Sequence, residues 1–300
     1  MVYTVTFNPA LDYVMTLSRL STDDINRTES EELYYGGKGI NVSAILSQLE
    51  IPNMALGFTA GFTGKKLKEM LDNDGIKNDF VVLNSGFTRI NVKLKYGEEL
   101  DINANGPEIT AGKIEELFSR FQQFKEGDWL VLAGSVPGSL PDDLYSTILR
   151  EVYGKGIRVV VDTTGSQLLN VLRYKPFLIK PNHHELAEIF GQEMDTAEKI
   201  TAYARKLKEM GAVNVLVSRG GDGAVLVDEN GTVHPAPAVE GKLVNSVGCG
   251  DSMVAGFIAG YILYRNYSQA LKLSLACSAA TAFSKELAKA DQIYTIYNGL

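Results

Sequence analysis

The arrangement of apolar segments along the chain constrains the fold more than any other feature of this sequence. Short runs rich in β-branched residues alternate with longer segments of helical period over most of the 300 residues. Strands that alternate with helices form βαβ units, which build a mostly parallel sheet with helices on both faces. The sequence therefore predicts an α/β fold. The predicted strands span 2–7, 54–58, 129–133, 158–162, 177–179, 213–218 and 224–227, and the predicted helices span 39–49, 63–72, 114–124, 142–153, 197–210, 252–264 and 267–287.

Two stretches interrupt this alternation, at about 12–35 and 87–104. Each contains a pair of short segments in which apolar and polar residues alternate, on either side of a polar turn. Strict alternation gives a strand one apolar and one polar face, so the four segments are predicted to form a small separate sheet. We call it the lid sheet, because its polar face can cover a functional site. An uncovered apolar face predicts a homodimer through the same sheet, since a small sheet alone is marginally stable.

The composition bounds the classes of protein to which the chain can belong. With 45% hydrophobic and 22% charged residues, the chain suits one large domain over 1–300, with the lid sheet as an appendage. Its formal net charge of −7 argues against a general nucleic-acid or membrane-surface partner, so any cationic site is local and suits a small anionic substrate. The start of the sequence lacks the pattern of a signal peptide, and two cysteines give no disulfide framework. These features predict a cytoplasmic location.

The most informative motif is the Gly-Cys-Gly-Asp turn at 248–251, which leads directly into an apolar helix. Gly248 and Gly250 leave backbone N–H groups uncovered, and the helix N-terminus adds further donors and the positive end of its dipole. Asp251 places a carboxylate beside this anion site. Phosphoryl transfer needs both, because the N–H groups of Gly248, Cys249 and Gly250 stabilise developing charge while Asp251 accepts the proton of the attacking hydroxyl. The alternative is a helix N-cap after a tight loop.

A second glycine-rich segment, 36–42, follows a predicted strand of the lid sheet and opens a helix. Gly37 permits close backbone approach, Lys38 supplies a positive charge, and Asn41 can hydrogen-bond a hydroxyl, which together predict a sugar-binding loop. The alternative is a strand-to-helix turn with a solvated lysine. Asp12, soon after the first strand, can accept hydrogen bonds from sugar hydroxyls, or it can cap a turn.

Cationic and amide side chains cluster on the predicted lid sheet. Arg89, Asn91 and Lys93 share one strand face because side chains alternate with a period of two. In an acidic chain this face favours an anion site over simple solvent exposure, and Arg27 and Lys38 add charge to it. An Arg and a Lys together suit an anion that carries two charges.

The segment 180–185 follows a predicted strand, where the catalytic groups of parallel sheets gather. Lys180 is positioned to meet nucleotide phosphates. Asn182 and Glu185 place an amide and a carboxylate within one helical turn, which suits hydrated Mg²⁺. The alternative is a capping box, in which the same two side chains satisfy the first N–H groups of a helix.

A glycine-rich turn at 218–223 also follows a predicted strand and can wrap phosphates or ribose, although a hairpin turn explains it equally well. The segment 61–66 fails the P-loop pattern, since 59 is not glycine and 66 is not Ser or Thr. The candidate nucleotide contacts in the turn are Ser218, Gly220, Gly221 and Gly223.

Taken together, these motifs resemble the PfkB, or ribokinase-like, family of carbohydrate kinases over the whole chain. Segment 36–42 is similar to the first signature of that family, and 245–251 with 255–256 is similar to the second. Segment 182–185 resembles its Asn-x-x-Glu magnesium motif. Segment 133–138 resembles its Gly-Ser-x-Pro substrate segment, which adds Ser135 to the substrate contacts. Cys249 stands where the family usually has alanine.

The resemblance implies a ribokinase-like fold and an enzyme that uses ATP and Mg²⁺, with a monovalent cation left open. Within the family, Lys38 and the 88–93 strand look most like kinases of fructose 1-phosphate, with tagatose-6-phosphate kinases next. A 6-phosphofructokinase, a nucleoside kinase and a non-catalytic sugar-phosphate binding protein are further alternatives. Asp251 is the expected base in all of the kinases.

Cys249 carries a separate expectation. A thiol at a helix N-terminus is expected to have a lowered pKa and to react readily with alkylating agents, unless burial in the turn prevents it.

Overall fold

The computed structural model describes residues 1–134 and 136–300, so the predicted substrate contact Ser135 lies outside the described residues. Within them, nine strands form one large sheet. These strands are β1 (Val2–Thr6), β4 (Asn53–Thr59), β5 (Asn78–Val82), β8 (Trp129–Ala133), β9 (Arg158–Asp162), β10 (Leu178–Ile179), β11 (Asn214–Ser218), β12 (Ala224–Val227) and β13 (Val233–Ala236). Their order is β13-β12-β11-β10-β9-β8-β1-β4-β5. All neighbours from β11 to β5 are parallel, and β12 and β13 add an antiparallel hairpin at one edge.

Helices cover both faces of this sheet, as the alternation of strands and helices predicts. They are α1 (Lys38–Gln48), α2 (Gly61–Asn73), α3 (Ala111–Arg120), α4 (Leu144–Val152), α5 (Gly165–Val171), α6 (His183–Phe190), α7 (Ala197–Glu209), α8 (Cys249–Tyr264), α9 (Tyr267–Ala282) and α10 (Ala290–Gly299). No helix in 1–134 or 136–300 has both the length and the apolar character needed to cross a membrane.

The core consists of two main clusters, one on each face of the large sheet. Successive residues of β8 illustrate this, since Leu130 and Leu132 pack with the helices from α3 to α7 while Val131 packs with α1, α8, α9 and α10. Burial on both faces explains why the central strands are continuous apolar runs rather than alternating ones. The α8 helix is buried on all sides over Asp251–Gly260, which fixes its N-terminus rigidly against the sheet.

The lid sheet has four strands in the order β3-β2-β6-β7. Its strands are β2 (Ala10–Thr16), β3 (Ser30–Gly36), β6 (Arg89–Lys95) and β7 (Glu99–Ile102), which confirms a second small sheet within the two predicted stretches. Leu11 anchors this sheet, because its side chain is buried in a third cluster with residues of α1 and α2. The β3 strand ends one residue before the N-cap of α1, so the lid sheet leads directly into the second glycine-rich segment.

Candidate active site

Asp251 lies in the first turn of α8 and is 5% exposed. Its Oδ2 accepts a hydrogen bond of 2.8 Å from Asn41 Nδ2 of α1. Burial, and then the negative charge of Asp162, raise the pKa of Asp251 to about 6, while the Asn41 hydrogen bond and the two lysines Lys38 and Lys180 oppose the shift. A carboxyl group with this pKa is ionised at neutral pH and is still basic enough to accept a proton, as a general base must.

The N-terminus of α8 is the place where the sequence predicts an anion site. Its N-cap, Gly248, has a φ of 80°, a left-handed conformation that glycine adopts without strain, and no side chain caps the helix. The Ser252 N–H bonds back to Gly248 O, so the N–H groups of the first turn are left for another acceptor. A methyl group at Gly250 would lie 3.2 Å from Lys180 Nζ, so an ammonium group stands beside these donors.

Asp162 is a member of this site that the sequence motifs did not indicate. It ends β9 and is 3% exposed. Its Oδ2 lies 3.5 Å from Lys38 Nζ and its Oδ1 lies 3.3 Å from Lys180 Nζ, so one carboxylate pairs with both lysines. The only sequence signal was a carboxylate at the carboxyl end of a predicted buried strand, where ligand-binding residues gather.

Lys38 does not join the cationic cluster on the lid sheet, and its predicted contact with the sugar stays a prediction. Its ammonium group points towards Asp162 and the α8 side of the site, and a methyl group at Gly134 would lie 3.8 Å from Lys38 Cβ. Burial lowers the pKa of Lys38, but Asp162, Asp251 and Glu185 together raise it above its ordinary value. Lys38 therefore remains charged beside Asp251, rather than among the polar residues of the lid sheet.

The polar face of the lid sheet holds a compact cluster around Asp12. Asn91 Nδ2 donates to Asp12 Oδ1 at 2.8 Å, and Lys93 Nζ lies 3.7 Å from Asp12 Oδ2 and 4.0 Å from Asp101 Oδ2. A side chain at Gly36 would collide with the Asp12 carboxylate, at 2.9 Å. The prediction that these residues share one face is confirmed by the strand register, which pairs Asp12 with Asn91.

Arg89 extends this face at the start of β6, where it pairs with Ala10. Its Nε donates to Asn8 O at 3.1 Å and its Nη1 donates to Ala104 O at 3.2 Å, which fixes the guanidinium plane. Arg27 is exposed in the connection between β2 and β3, and no hydrogen bond or ion pair within the described chain joins it to this cluster.

A cavity of about 550 Å³ separates the polar face of the lid sheet from the body of the protein. Asp12 and Lys93 line it from the lid sheet, and Asn41, Asn245 and Val247 line it from the body. Its volume is typical of sites for small molecules. A ligand in this cavity would contact both the Asp12 cluster and the loop that leads into α8.

Asn182 and Glu185 form a capping box at the start of α6. Asn182 Oδ1 accepts from the Glu185 N–H at 2.9 Å, and Glu185 Oε2 accepts from the Asn182 N–H at 2.8 Å. The alternative offered by the sequence is therefore present in the structure. The capping box does not use every polar atom of these two side chains, because Glu185 Oε1 takes no part in it. Glu185 is also close enough to Lys38 to raise the pKa of Lys38.

The turn at 218–223 connects β11 to the antiparallel strand β12, so it is a hairpin turn, which is one of the two interpretations that the sequence allows. Gly223 has a φ of 86°, and a methyl group there would overlap Ala236 O of β13, so this glycine is required for close packing. Gly220 and Gly221 have open space around them and are exposed. Ser218 lies beside Asn182, through a parallel bridge at the carboxyl edge of the sheet.

For Cys249 the structure favours the alternative of burial in the turn over a reactive thiol. Burial, and then the neighbouring Asp251 carboxylate, raise the pKa of Cys249 to about 11. Its Sγ lies 3.5 Å from Asn245 O. The effect of the helix dipole on the thiol pKa is outweighed here, because the turn removes water from the thiolate and the Asp251 carboxylate repels it.

The pfkB family carbohydrate kinase model matches residues 5–292 of this chain. This range contains the α8 turn, the 36–42 segment, the capping box and the Asp12 cluster. The chain belongs to the pfkB family of carbohydrate kinases. Its predicted enzyme class and ribokinase-like α/β fold are confirmed, and a kinase family of this kind implies ATP and a divalent metal ion.

Several relatives are similar to this chain along nearly their whole length. The 1-phosphofructokinase of Bacillus subtilis (strain 168) is 45% identical over 287 residues, which are 96% of this chain and 94% of that protein. A D-tagatose-1-phosphate kinase of Bacillus licheniformis is 37% identical over 296 residues, 97% of each chain. The crystal structure of a Staphylococcus aureus protein that was assigned as a phosphofructokinase, at 41% identity, superimposes with a TM-score of 0.89 over 99% of this chain and 97% of that one.

Proposed function

We propose that this protein transfers the γ-phosphoryl group of ATP to a ketose monophosphate, with fructose 1-phosphate as the preferred acceptor and fructose 1,6-bisphosphate as the product. The observation that carries this proposal is the buried Asp251 carboxylate in the first turn of α8, with Lys180 beside the same turn. Asp251 removes the proton of the sugar hydroxyl. The N–H groups at Gly248, Cys249 and Gly250 stabilise the charge that develops on the phosphoryl oxygens.

The polar face of the lid sheet supplies the acceptor site in this proposal. Asp12 and Asn41 bind sugar hydroxyls from opposite sides of the cavity, and Gly37 allows the backbone to approach the sugar. Arg89 binds the phosphate that the substrate already carries. Lys93 contributes less to the binding of this phosphate, because Asp12 and Asp101 already compensate the positive charge of Lys93.

Asn182 and Glu185 fit a hydrated Mg²⁺. This ion keeps several waters and needs only one or two protein oxygens besides the substrate phosphates, so Glu185 Oε1 suffices while the capping box holds its carboxylate in place. A bound Mg²⁺ would offset the charge of the nucleotide phosphates. Ser218 and the turn at Gly220 and Gly221 lie at the same edge of the sheet, where the nucleotide is proposed to bind.

The choice of acceptor rests on the relatives and on charge. The relatives at 45% and 37% identity are named 1-phosphofructokinase and D-tagatose-1-phosphate kinase, and each name refers to a ketose that carries its existing phosphate at C1. These two ketoses differ in the configuration of one hydroxyl, so one pocket accommodates either. Tagatose 1-phosphate or tagatose 6-phosphate is therefore the nearest alternative, and fructose 6-phosphate is more distant.

A coupled ADP-release assay tests the proposed function. The wild-type protein is mixed with Mg-ATP and, in turn, fructose 1-phosphate, tagatose 1-phosphate, tagatose 6-phosphate, fructose 6-phosphate, ribose and adenosine. We expect the greatest kcat/KM for fructose 1-phosphate, with the rate in the absence of any acceptor as the control. A greater kcat/KM for another acceptor would refute fructose 1-phosphate as the preferred substrate. If none of the acceptors causes ADP release, the result would favour a non-catalytic sugar-phosphate binding protein.

We also propose that the protein is a homodimer that buries the apolar face of the lid sheet. On this face Tyr13 pairs with Val92 and Met15 pairs with Leu94, and the edge residue Ile102 is 54% exposed. In sedimentation experiments Ile102→Glu is expected to shift the protein towards monomer. The matched change Leu263→Glu, at a 50% exposed leucine of α8, is expected to leave the dimer intact. A monomeric wild-type protein would contradict the proposal.

A further inference from the structure

The Asp162 carboxylate joins two lysines that come from separate parts of the fold. Lys38 is the first residue of α1, and Lys180 directly follows the last residue of β10. Each lysine pairs with a different oxygen of the same carboxylate, at 3.5 Å and 3.3 Å. Asp162 thus sets both the separation of the two ammonium groups and their height above the sheet.

Both ammonium groups face the N-terminus of α8. Lys180 Nζ lies close to the Gly250 backbone, and Lys38 is near enough to Asp251 for that carboxylate to raise its pKa. The two lysines therefore flank the point at which the α8 donors and the base converge. A phosphoryl group transferred at this point would lie between them.

Burial makes Lys180 dependent on Asp162, whereas the Lys38 side chain is 43% exposed. The side chain of Lys180 is only 6% exposed, and its ion pair within the described chain is with Asp162. A buried ammonium group without a partner is strongly disfavoured, and two ammonium groups that face the same point repel each other. Without the carboxylate, the lysines would move apart and towards water.

We propose that Asp162 is a positioning residue, which holds Lys38 and Lys180 on either side of the phosphoryl group during its transfer. This proposal rests on the proposed kinase function. Asp162 acts through the lysines and does not itself contact the phosphoryl group or the sugar. Its role differs from that of Asp251, which accepts the proton.

The same carboxylate also influences the base. The groups that face Asp251 are Asp162 and Lys180 from the strand ends, Lys38 and Asn41 from α1, and Cys249 from its own helix. On the α9 side, α8 presents the uncharged hydroxyl pair of Ser252 and Thr281. Asp162 raises the pKa of Asp251. Replacement of Asp162 by a neutral residue is therefore expected to lower the pKa of Asp251 and to move the acid limb of the pH–activity profile to lower pH.

The test compares Asp162→Asn with a matched change, Asp128→Asn. Asp128 is also buried, and its Oδ1 is ion-paired at 3.0 Å with the terminal amine of Met1. It precedes β8, so it lies at the amino ends of the parallel strands, whereas the candidate active site lies at their carboxyl ends. We expect Asp162→Asn to lower kcat by about 10²-fold, as misplacement of catalytic groups does, with KM for the phosphosugar within about twofold of wild type. The acid limb of kcat/KM should move to lower pH. Asp128→Asn should retain the wild-type kcat and pH profile.

A second variant, Asp162→Glu, keeps the charge but displaces it by one methylene group. We expect it to retain the position of the acid limb while kcat falls, and it decides the question if Asp162→Asn does not fold. A wild-type kcat in either folded variant would overturn the proposal, as would an equal loss in Asp128→Asn. If the wild-type enzyme prefers another phosphosugar, the substrate proposal fails, and the same comparison with that sugar still tests Asp162.

Discussion

Asp251→Asn is expected to lower kcat by a factor of about 10² to 10⁴, the range that removal of a general base produces. The amide is nearly the same size as the carboxylate and can still bond Asn41, so the α8 turn should keep its shape. Binding of Mg-ATP and of the phosphosugar, measured by calorimetry, should remain close to wild type. The rate is measured by ADP release at saturating concentrations of both substrates.

The pH dependence gives an independent check on the same residue. Asp251 must be ionised to accept a proton, and burial beside Asp162 raises its pKa to about 6. In the wild-type protein, kcat/KM should therefore decrease as the pH falls below about 6, and this limb should be absent from the residual activity of Asp251→Asn. A variant with near-wild-type kcat and unchanged binding would show that Asp251 is not the base.

Arg89→Ala is expected to raise KM for the phosphosugar by about 10- to 100-fold, with a smaller effect on kcat. Hydrogen bonds to a charged group contribute about 1.5–3 kcal/mol, and 1.4 kcal/mol corresponds to a tenfold change in affinity. The effect falls on binding because Arg89 lies on the lid sheet with Asp12, rather than beside the α8 turn. Steady-state kinetics with the phosphosugar varied at saturating Mg-ATP measures it.

Two controls make the Arg89 result specific. KM for ATP should stay unchanged in Arg89→Ala, and the unphosphorylated sugar should bind wild type and variant equally weakly. Arg120→Ala is the matched variant, since Arg120 is partly buried on α3 and its Nε pairs with Asp79 at 3.0 Å. It should leave KM for the phosphosugar unchanged. An unaltered KM in Arg89→Ala would remove Arg89 from the substrate site.

The central strands were predictable because their residues are buried on both faces. The predicted bounds of β8, β9 and β12 agree with the structure, those of β1, β10 and β11 differ by one residue at one end, and those of β4 differ by one residue at each end. The edge strand β13 was not predicted, and it contains Pro235. Proline is tolerated in an edge strand, where its missing N–H is not needed for pairing, so only the position of the segment in the sheet allows it to be a strand.

Short helices were harder to predict than strands. The α5, α6 and α10 helices were not among the predicted helices, and they contain seven, eight and ten residues. Segments of this length carry few periods of a helical pattern, and isolated helices of this size are marginal in water. Packing against the sheet and, for α6, the capping box of Asn182 and Glu185 stabilise them.

The site was predictable where it depends on local backbone, and not where it depends on distant partners. Gly248 and Asp251 belong to one turn, so their spacing alone indicated an anion site beside a carboxylate. The thiol of Cys249 shows the limit of that inference. Its position at a helix N-terminus favours a low pKa, but burial and Asp251 reverse the direction, and burial is a property of the whole fold.

The sequence by itself determined the parallel α/β architecture, the lid sheet and the glycine turns, because each follows from apolar periodicity or from residues that are close along the chain. Only the tertiary structure decided which charges meet. Lys38 and Asp162 are 124 residues apart, and their ion pair beside the N-terminus of α8 exists because β9, β10, α1 and α8 end or begin at one edge of the sheet. Electrostatic interactions depend on distance and burial, and neither is encoded in the spacing of a motif.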